Sequence, residues 1–491
     1  MAVIKPFAAL LPQPGLAPRI CELPYDVMSS EEARQVAAGN PLSFLHVSKP
    51  EIDLPPAKDA YAPEVYAKGR ENFRRLMAEG ALRQDPQPHF YLYRQGLGRH
   101  SQTGLVAAAS CEDYLEGIIK KHELTRPDKE DDRVRHIEAL DAQTGPVFLV
   151  YRANAALDAL VVKKTAEAPS VDFTAADGVR HSAWVVTDSA QTRFIEAEFG
   201  RMPCLYIADG HHRSAAAARV FQQRKGAGES ASFLSVIFPH NQMQILPYNR
   251  VLKDLNGLSP GQLMERLASV FAVNPHGAAT PTHKHELGFY LGGQWHTLSL
   301  LPRFAAPTKP IEGLDVTLLQ EHVLEPVFGI ADPRTSKRIN FVGGIRGTGE
   351  LEKLAGVFAV NPHGAATPTR KHELGFYLGG QWHTLSLLPR FAAPANPMEG
   401  LDVTLLQQQV LEPIFGIADP RTSKRINFVG GIRGTGELEK LVNSGEYVCA
   451  FSMFPTSIED LMAIADTGGI MPPKSTWFEP KLRDAMFCHL I

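Results

Sequence analysis

Five consecutive residues suited to binding anions and moving protons stand together in the chain: Asp209-Gly210-His211-His212-Arg213. The apolar residues 205–208 before them predict a strand, and the alanine-rich residues 214–218 after them predict a helix. The start of a helix exposes unpaired N–H groups and carries about half a positive charge, so it attracts anions. Arg213 can add two parallel hydrogen bonds to a phosphate. The pattern therefore predicts a phosphate-binding turn.

The other side chains of this turn supply further polar groups. Gly210, His211 and Ser214 are predicted to bind phosphate. Asp209 stands at the carboxyl end of the strand, where it can hold Mg²⁺ or assist proton transfer, and it is predicted to be catalytic together with His212. The alternative is a polar turn whose histidines bond to the backbone. Zinc is not expected, because neighbouring histidines point apart on a helix or strand.

A second charged segment begins at His122-Glu123 and reads HELTRPDKEDDRVRH over residues 122–136. It is not the HExxH motif of zinc proteases, because Arg126 occupies the position of the second histidine. A carboxylate among cations stays ionised, so Glu123 is predicted to accept a proton or to hold Mg²⁺ with Asp209. His122 and Arg126 are predicted to bind phosphate.

Pro127 is a favoured first helical residue, so a helix is predicted from this position onward. The alternative interpretation of its charges is a solvated helix face. Ion pairs between residues four apart, Asp131–Arg135 and Asp132–His136, would then stabilise the helix.

Five residues in loops rich in proline and aromatic side chains are weaker candidates for binding a substrate. They are Tyr25, Asp26, Asn249, Arg250 and Lys474. Prolines and aromatic residues also build rigid turns and cores, so the alternative is a structural role for these loops.

Residues 270–354 and 357–441 form a tandem repeat with an offset of 87 residues and seven differences over 85 positions. Solenoid proteins stack three or more units, so two nearly identical copies indicate one structural segment written twice. Both copies cannot fill the same place in one core. We expect one copy to complete the main fold and the other to form an appended lobe; the alternative is an artefact of sequence assembly.

The composition is that of a globular protein, with 44% hydrophobic and 21% charged residues and a net charge of −3. This charge balance gives no reason to expect nucleic acid as a partner. The apolar runs are far shorter than the ~20 residues that span a bilayer, so no membrane partner is expected. The five scattered cysteines lack CxxC spacing and indicate reduced thiols. We therefore predict a cytoplasmic protein, and the phosphate-binding turn indicates a small-molecule substrate as its partner.

Predicted strands alternate with predicted helices, which favours an α/β or α+β fold with a mixed sheet core. Ser29-x-x-Glu32 and Thr456-x-x-Glu459 predict capped helices, and Asp177-Gly178 predicts a hairpin turn. Five regions are expected: an N-terminal α+β region over 1–115, a core α/β region with the phosphate turn over 116–269, the repeat copies over 270–356 and 357–441, and a C-terminal segment over 442–491 that completes the core.

The chain resembles a widespread bacterial family catalogued as a domain of unknown function. The resemblance spans nearly the whole chain, departs from the family pattern in the second repeat copy, and rests on PYDV, NPLSFLHV, HELTRPDKEDDRVRH, DGHHR, LPYNRV and MPPKSTWFEPKL. The DGHHR turn also resembles the phosphate-binding motif of the ParB/sulfiredoxin-like fold, which includes free-serine kinases. These resemblances imply nucleotide phosphates near residues 210–214 and a link to serine biosynthesis. They also imply a catalytic glutamate upstream of the turn, for which Glu123 is the candidate.

The favoured hypothesis is a small-molecule kinase that phosphorylates free L-serine, or a similar hydroxyl metabolite, with ATP or ADP and Mg²⁺. Glu123 would accept the hydroxyl proton, Asp209 would hold Mg²⁺ or assist, and residues 210–214 with Arg126 would neutralise the phosphates. Two alternatives stay open: a phosphatase acting on phosphoserine-like phosphoesters, and a non-enzymatic, nucleotide-binding regulator of the ParB type.

Overall fold

The computed structural model of the chain shows a mixed α/β protein with two compact units, Met1–Gln244 with Pro480–Ile491 and Ile245–Glu479. The residues that the structure describes are 1–56, 58–252, 254–275, 280–291, 294–301, 314–321, 323–325, 327–328, 330, 339–343, 368–371, 373–378, 381–386, 426–430, 434–445, 447, 449–472 and 474–491. Among the helices within these residues, none is both long and apolar enough to cross a membrane.

The first unit is built on a mixed sheet to which nine strands contribute within the described residues. Its strands, with those of two small two-stranded sheets, are β1 (Ile4–Lys5), β2 (Leu10–Pro12), β3 (Leu82–Gln84), β4 (Phe90–Leu97), β5 (His100–Ser110), β6 (Ile119–Lys120), β7 (Ala142–Gln143), β8 (Val147–Tyr151), β9 (Val171–Thr174), β10 (Arg180–Val186), β11 (Leu205–Asp209) and β12 (Ser232–Pro239). The main sheet has the order β6-β11-β8-β12-β5-β4-β10-β9, and β1 pairs with β5. The predicted hairpin at Asp177-Gly178 is confirmed, since β9 and β10 are antiparallel neighbours.

The helices of the first unit are α1 (Ala17–Ile20), α2 (Ser30–Ala37), α3 (Leu45–Ser48), α4 (Pro63–Ala78), α5 (Cys111–Leu115), α6 (Pro127–Leu140), α7 (Ala155–Thr165), α8 (Ser189–Phe199) and α9 (His211–Arg224). Short 3₁₀ turns occur at Pro50–Asp53 and His240–Gln242. The predicted capping box of α2 is confirmed: the Ser29 hydroxyl accepts from the Glu32 amide, and the Glu32 carboxylate accepts from the Ser29 amide. Helix α6 begins at Pro127, as predicted.

The small side chains of helix α9 let it pack closely on two sides. Ala215 and Ala217 belong to the apolar core that covers the sheet. Ala216 faces the other way and packs in a second cluster with Val134 and Ile137 of helix α6. The start of α9 is thereby fixed between the sheet and α6, which is what a preformed binding turn requires.

Helix α6 is not a solvated face, because it packs against both α4 and α9. The Asp131 carboxylate accepts from Arg219 of α9 at 2.7 Å, rather than pairing four residues along its own helix. Asp132 accepts from Arg133 at 3.0 and 2.6 Å, and both Asp132 and His136 are buried. The closest contacts of these two carboxylates are therefore Arg219 of helix α9 and the neighbouring Arg133, and not the i,i+4 pairs of the alternative interpretation.

The second unit contains the two repeat copies. Its described strands are β13 (Ile245–Leu246), β14 (Tyr248–Leu252), β15 (Phe271–Asn274), β16 (Thr280–His283), β17 (Glu286–Leu291), β18 (Gln294–Leu300), β19 (Ile339–Gly343), β20 (Pro368–Lys371), β21 (Glu373–Leu378), β22 (Gln381–Ser386), β23 (Ile426–Gly430), β24 (Cys449–Met453) and β25 (Trp477–Phe478). Equivalent strands of the copies are parallel neighbours, with Tyr290 of β17 opposite Tyr377 of β21. The described helices are α10 (Pro260–Ala268), α11 (Asp315–Glu321), α12 (Gly434–Asn443) and α13 (Ile458–Asp466).

The predicted cap of helix α13 is displaced by one residue. Ser457, not Thr456, accepts a hydrogen bond from the Asp460 amide at 3.0 Å. The Thr456 hydroxyl instead donates to the Ser475 carbonyl at 3.1 Å. It therefore bonds to a residue outside the helix.

The end of the chain is docked in the first unit. His489–Leu490 pairs antiparallel with β7, and Ala485 and Cys488 are fully buried. The cysteines with described side chains carry free thiols, as predicted, at Cys21, Cys111, Cys204 and Cys488.

Candidate functional site

Two parallel strands bring the two charged segments together. Strand β6 pairs in parallel with β11, so the residues after each strand leave the sheet at the same edge. His122 follows β6, and its ring meets that of His211 edge-to-face with 4.4 Å between centroids. Glu123 Oε2 lies 3.9 Å from His211 Nδ1. The structure thus places Glu123 beside the DGHHR turn.

The loop after β6 is also tied to the turn through its backbone. The Arg126 amide donates to His212 Nε2 at 3.1 Å, so this ring nitrogen carries no proton in that contact. The Arg126 guanidinium bonds to the Asp128 carboxylate at 3.2 and 2.8 Å and is half-exposed. His212 therefore holds the loop in place, while the Arg126 side chain lies at the surface.

Gly210 makes the turn possible. Its φ of +94° is in the left-handed region, and it caps helix α9. A Cβ at this position would lie 3.3 Å from Cζ and Nε of Arg213. The Gly210 amide donates to Asp209 Oδ1 at 2.8 Å. Glycine thus lets the guanidinium lie directly against the start of the helix.

Asp209 is the anion on which the cations of the site converge. Its Oδ2 accepts a hydrogen bond from Lys481 Nζ at 3.0 Å and lies 3.9 Å from NH2 of Arg213. Burial would raise the pKa of Asp209, but the charges of Lys481 and Arg213 outweigh burial and hold this pKa well below its usual range. Asp209 is therefore ionised at neutral pH and is a poor proton acceptor.

Arg213 is buried and lines a small cavity. Its NH1 donates to the Pro146 carbonyl, while Nε is buried and has no hydrogen-bond partner among the described residues. The cavity has a volume of about 40 Å³, and Tyr25, Arg133 and Asp484 also line it. Since a water needs roughly 10–15 Å³ of such volume, the cavity admits a few waters or a small ion but no nucleotide.

Asp484 faces this cavity and is nearly completely buried. Burial raises the pKa of its carboxyl to about 7; the charge of Arg213 opposes this rise, and Asp26 adds to it. The Asp484 carboxyl therefore changes its charge near neutral pH, whereas the charge of Arg213 beside it stays fixed.

Tyr25 and Asp26, both predicted to bind substrate, lie in the first unit on the side of Arg213. The Arg133 guanidinium stacks on the Tyr25 ring at 3.7 Å. Burial raises the pKa of the Tyr25 hydroxyl, which stays neutral. Asp26 acts electrostatically on Arg213. Tyr25 is thus half-buried against Arg133, whereas Asp26 is exposed and acts on Arg213 through its charge.

Two histidines of the site, His122 and His211, are neutral at pH 7. Burial lowers the pKa of His122 to about 4. Burial, and next the neighbouring His122, lower the pKa of His211 well below its usual value. His211 Nε2 is buried, and no residue that the structure describes forms a hydrogen bond with it. With its pKa lowered in this way, His211 is a poor proton acceptor and stays neutral beside Glu123.

The solvent side of the site is acidic. The side chains of Glu123 and Asp209 are 31% and 30% exposed, whereas those of His211 and Arg213 are 5% and 9% exposed. Both carboxylates are therefore partly open to solvent, and the cations Arg213 and Lys481 are more deeply buried.

Four other predicted residues occupy different places. The Ser214 hydroxyl is buried and donates to the carbonyls of Gly210 and His211, so it serves the helix. Asn249 and Arg250 lie on β14 of the second unit, and their side chains are outside the described residues. Lys474 also belongs to the second unit, with Nζ 5.4 Å from the centre of the Tyr248 ring.

The side chains that would hold Mg²⁺ are Glu123 and Asp209. Within the described residues, no group of three or more His, Cys, Asp or Glu side chains is arranged around a common metal position. Magnesium is commonly held by one or two carboxylates, with waters and substrate phosphates as its other ligands. Two partly exposed carboxylates are a donor set of that kind.

Three site residues were missed in the sequence: Lys481, Arg483 and Asp484. Arg483 Nε bonds to His181 Nε2 at 3.1 Å, and its NH2 donates to Asp177. These bonds fix the backbone between Lys481, which contacts Asp209, and Asp484, which lines the cavity. The signal for these residues was three charges within the last twelve residues, which are otherwise mostly apolar.

Comparison with curated proteins found no match. Among solved structures, that of SbnI with a C-terminal truncation from Staphylococcus aureus matches at 11% identity and a TM-score of 0.21, with 39% of this chain covered. The match spans about half of that protein, 52%. A score this low gives no basis for transferring fold or function. The sequence profile of the family DUF1015, described as a protein of unknown function, matches residues 4–317, and the chain belongs to this family.

Proposed function

We propose that the protein is a small-molecule kinase that transfers a phosphoryl group from ATP or ADP to the hydroxyl of free L-serine or a similar metabolite. The observation that carries the proposal is the placement of Glu123, a partly exposed carboxylate, beside the start of helix α9, where Lys481 and Arg213 converge on Asp209. The resemblance of the DGHHR turn to free-serine kinases supports the same reaction.

Phosphoryl transfer depends mainly on positioning and on neutralising charge. The first amides of helix α9 have no acceptors within the helix and point toward the turn, so they suit phosphate oxygens. Lys481 and Arg213 add positive charge close to Asp209. The amides would hold the terminal phosphates of the nucleotide, while the two buried cations would act on these phosphates through their charge.

Glu123 would act as the proton acceptor. The substrate hydroxyl oxygen forms a bond to the terminal phosphorus, the bond from that phosphorus to the bridging oxygen breaks, and the shortened nucleotide leaves. The hydroxyl proton passes to Glu123, with neutral His211 as its neighbour at 3.9 Å. Asp209 stays ionised and orients Lys481. Mg²⁺, held by Asp209, would supply further neutralisation of phosphate charge.

The test is to incubate the purified protein with Mg²⁺, L-serine and either ATP or ADP, and to measure phosphoserine. We expect Glu123→Gln to lower kcat by roughly 10²–10⁴-fold while leaving nucleotide affinity in place. Glu116→Gln, at an exposed glutamate after helix α5, should match the wild type. Phosphate release from phosphoserine without nucleotide would instead identify a phosphatase. Nucleotide binding without turnover of either kind would identify a regulator.

A further inference from the structure

A second concave site lies in the first unit, at the end of the main sheet formed by β4, β5, β9 and β10. This groove has a volume of about 590 Å³, which is in the range of small-molecule sites. Its lining includes Arg94, Arg99, Arg180 and Trp184. None of these residues belongs to the site around Asp209.

The groove rests on a row of polar side chains at matched positions of four strands. Arg94 is directly opposite Thr103 on one side and Ser182 on the other, and Ser182 is opposite Asp172. Arg94 Nε donates to the Thr103 hydroxyl at 3.0 Å, and the Ser182 hydroxyl donates to Asp172 at 2.8 Å. The Arg94 guanidinium also lies 5.1 Å from the centre of the Trp184 ring. Arg94 is therefore held in one orientation.

The acidic residues near the groove are already neutralised. Arg180 makes two hydrogen bonds to Asp172, at 2.9 and 2.6 Å. Lys164 pairs with Glu167 at 2.6 Å. Within the described part of the chain, Arg94 has a hydroxyl and an aromatic ring as partners but no carboxylate. The groove therefore carries an uncompensated positive charge.

The electrostatic surroundings agree with this charge count. Burial, and then the neighbouring charge of Arg180, lower the pKa of Arg94. A cation that is partly buried beside another cation is stabilised by an anion, and a guanidinium can bind phosphate or carboxylate through two parallel bonds. Arg99 on the exposed hairpin turn adds a further positive charge at the rim.

A glycine keeps the groove open. Gly96 is directly opposite Arg180, and a Cβ placed on it would have the Arg180 Cβ, at 4.0 Å, as its nearest neighbour. Its backbone is not in the left-handed region, so a larger residue would be tolerated by the strand and would occupy the groove.

We propose that this groove is a binding site for a small polyanion bearing phosphate or carboxylate groups, with Arg94 as its main contact. The site is separate from the proposed kinase site and does not depend on that function. The rim residue Arg99 would complete the contacts around the anion.

The test is isothermal titration of the full chain with pyrophosphate, ADP and citrate, whose relative affinities separate a phosphate ligand from a carboxylate ligand. We expect Arg94→Gln to weaken binding by about 10–100-fold, the effect of losing charge-assisted hydrogen bonds. The affinity of Arg94→Lys should lie between those of the wild type and Arg94→Gln, because lysine keeps the charge but lacks the planar fork of the guanidinium. Gly96→Val should block binding by filling the space. Arg74→Gln, at an exposed arginine of helix α4, is the matched control and should bind as the wild type does.

Equal affinity in the wild type, Arg94→Gln and Gly96→Val would overturn the proposal, as would the absence of binding to all three probes. Phosphoserine formation by Arg94→Gln is measured in parallel. A protein that binds polyanions at Arg94 but makes no phosphoserine refutes the kinase function alone; one that makes phosphoserine without binding at Arg94 refutes the groove alone.

Discussion

The Asp209 carboxylate accepts a hydrogen bond from the ammonium of Lys481 at 3.0 Å, across a sequence separation of 272 residues. This pair links the end of strand β11 to the last segment of the first unit. It also explains why Asp209 stays ionised although it is largely enclosed.

Replacing Lys481 with Met leaves Asp209 with one fewer cation. We expect a loss of about 2–3 kcal/mol in the free energy of unfolding, below the usual 3–5 kcal/mol for a buried pair because the Asp209 side chain is 30% exposed. Urea unfolding measures this loss. In the double variant Lys481→Met/Asp209→Asn, the combined loss should be smaller than the sum of the single losses. Strict additivity would show that the two groups do not interact.

Gly210→Ala places a Cβ where φ is +94° and where the Arg213 guanidinium is 3.3 Å away. We expect a cost of about 1–2 kcal/mol from the left-handed backbone alone, plus weaker nucleotide binding because Arg213 must move. Thermal unfolding with and without ATP measures both effects. Gly15→Ala is the control, because no atom lies within 4 Å of its Cβ position. An equal Tm for both variants would contradict the role of Gly210.

Stability should fall as pH falls from about 6.5 toward 4. Burial lowers the pKa of His122 and His489 to about 4, and burial together with Arg133 lowers that of His136 to about 4. In this window the unfolded chain binds protons that the folded protein does not, so each such histidine changes the free energy of unfolding by about 1.36 kcal/mol per pH unit. Urea unfolding at pH 4.5–7.5 measures the slope. His136→Gln should make it shallower; an unchanged slope would mean that His136 is charged in the folded protein.

Asp484 should act in the opposite direction. Its pKa of about 7 in the folded protein lies above the ordinary 3.8, so the folded state binds a proton that the unfolded state releases. This contribution to stability is present below pH 3.8 and is lost as pH rises to about 7. Relative to the wild type, Asp484→Asn should therefore gain stability as pH rises from 5 to 7 and no more beyond pH 8. A difference that is constant with pH would refute the raised pKa.

The local elements of the site could be predicted, because their causes are local. An apolar run, a glycine and an alanine-rich stretch suffice to predict a strand, a turn and a helix around Asp209. Pro127 likewise marked the start of helix α6. The meeting of Glu123 with the turn depends on the parallel pairing of β6 and β11, and no residue pattern encodes that pairing.

Tertiary packing decided the remaining contacts. The predicted ion pairs of helix α6 assumed a solvated face, whereas Arg219 of helix α9 reaches Asp131 because the two helices pack together. Lys481 and Asp484 escaped prediction because their partners are far away in sequence. Proximity of that kind is set by the whole fold and leaves no local trace.

The segment Pro480–Ile491 belongs to the first unit, although the second unit lies before it in the chain. During translation, the ribosome must therefore synthesise the whole second unit before it adds Lys481 and Asp484 to the chain. Until then Asp209 has no ammonium partner, and the cavity beside Arg213 has no carboxylate. The nascent first unit thus remains chemically incomplete however early its sheet forms, and translation order itself delays assembly of the site.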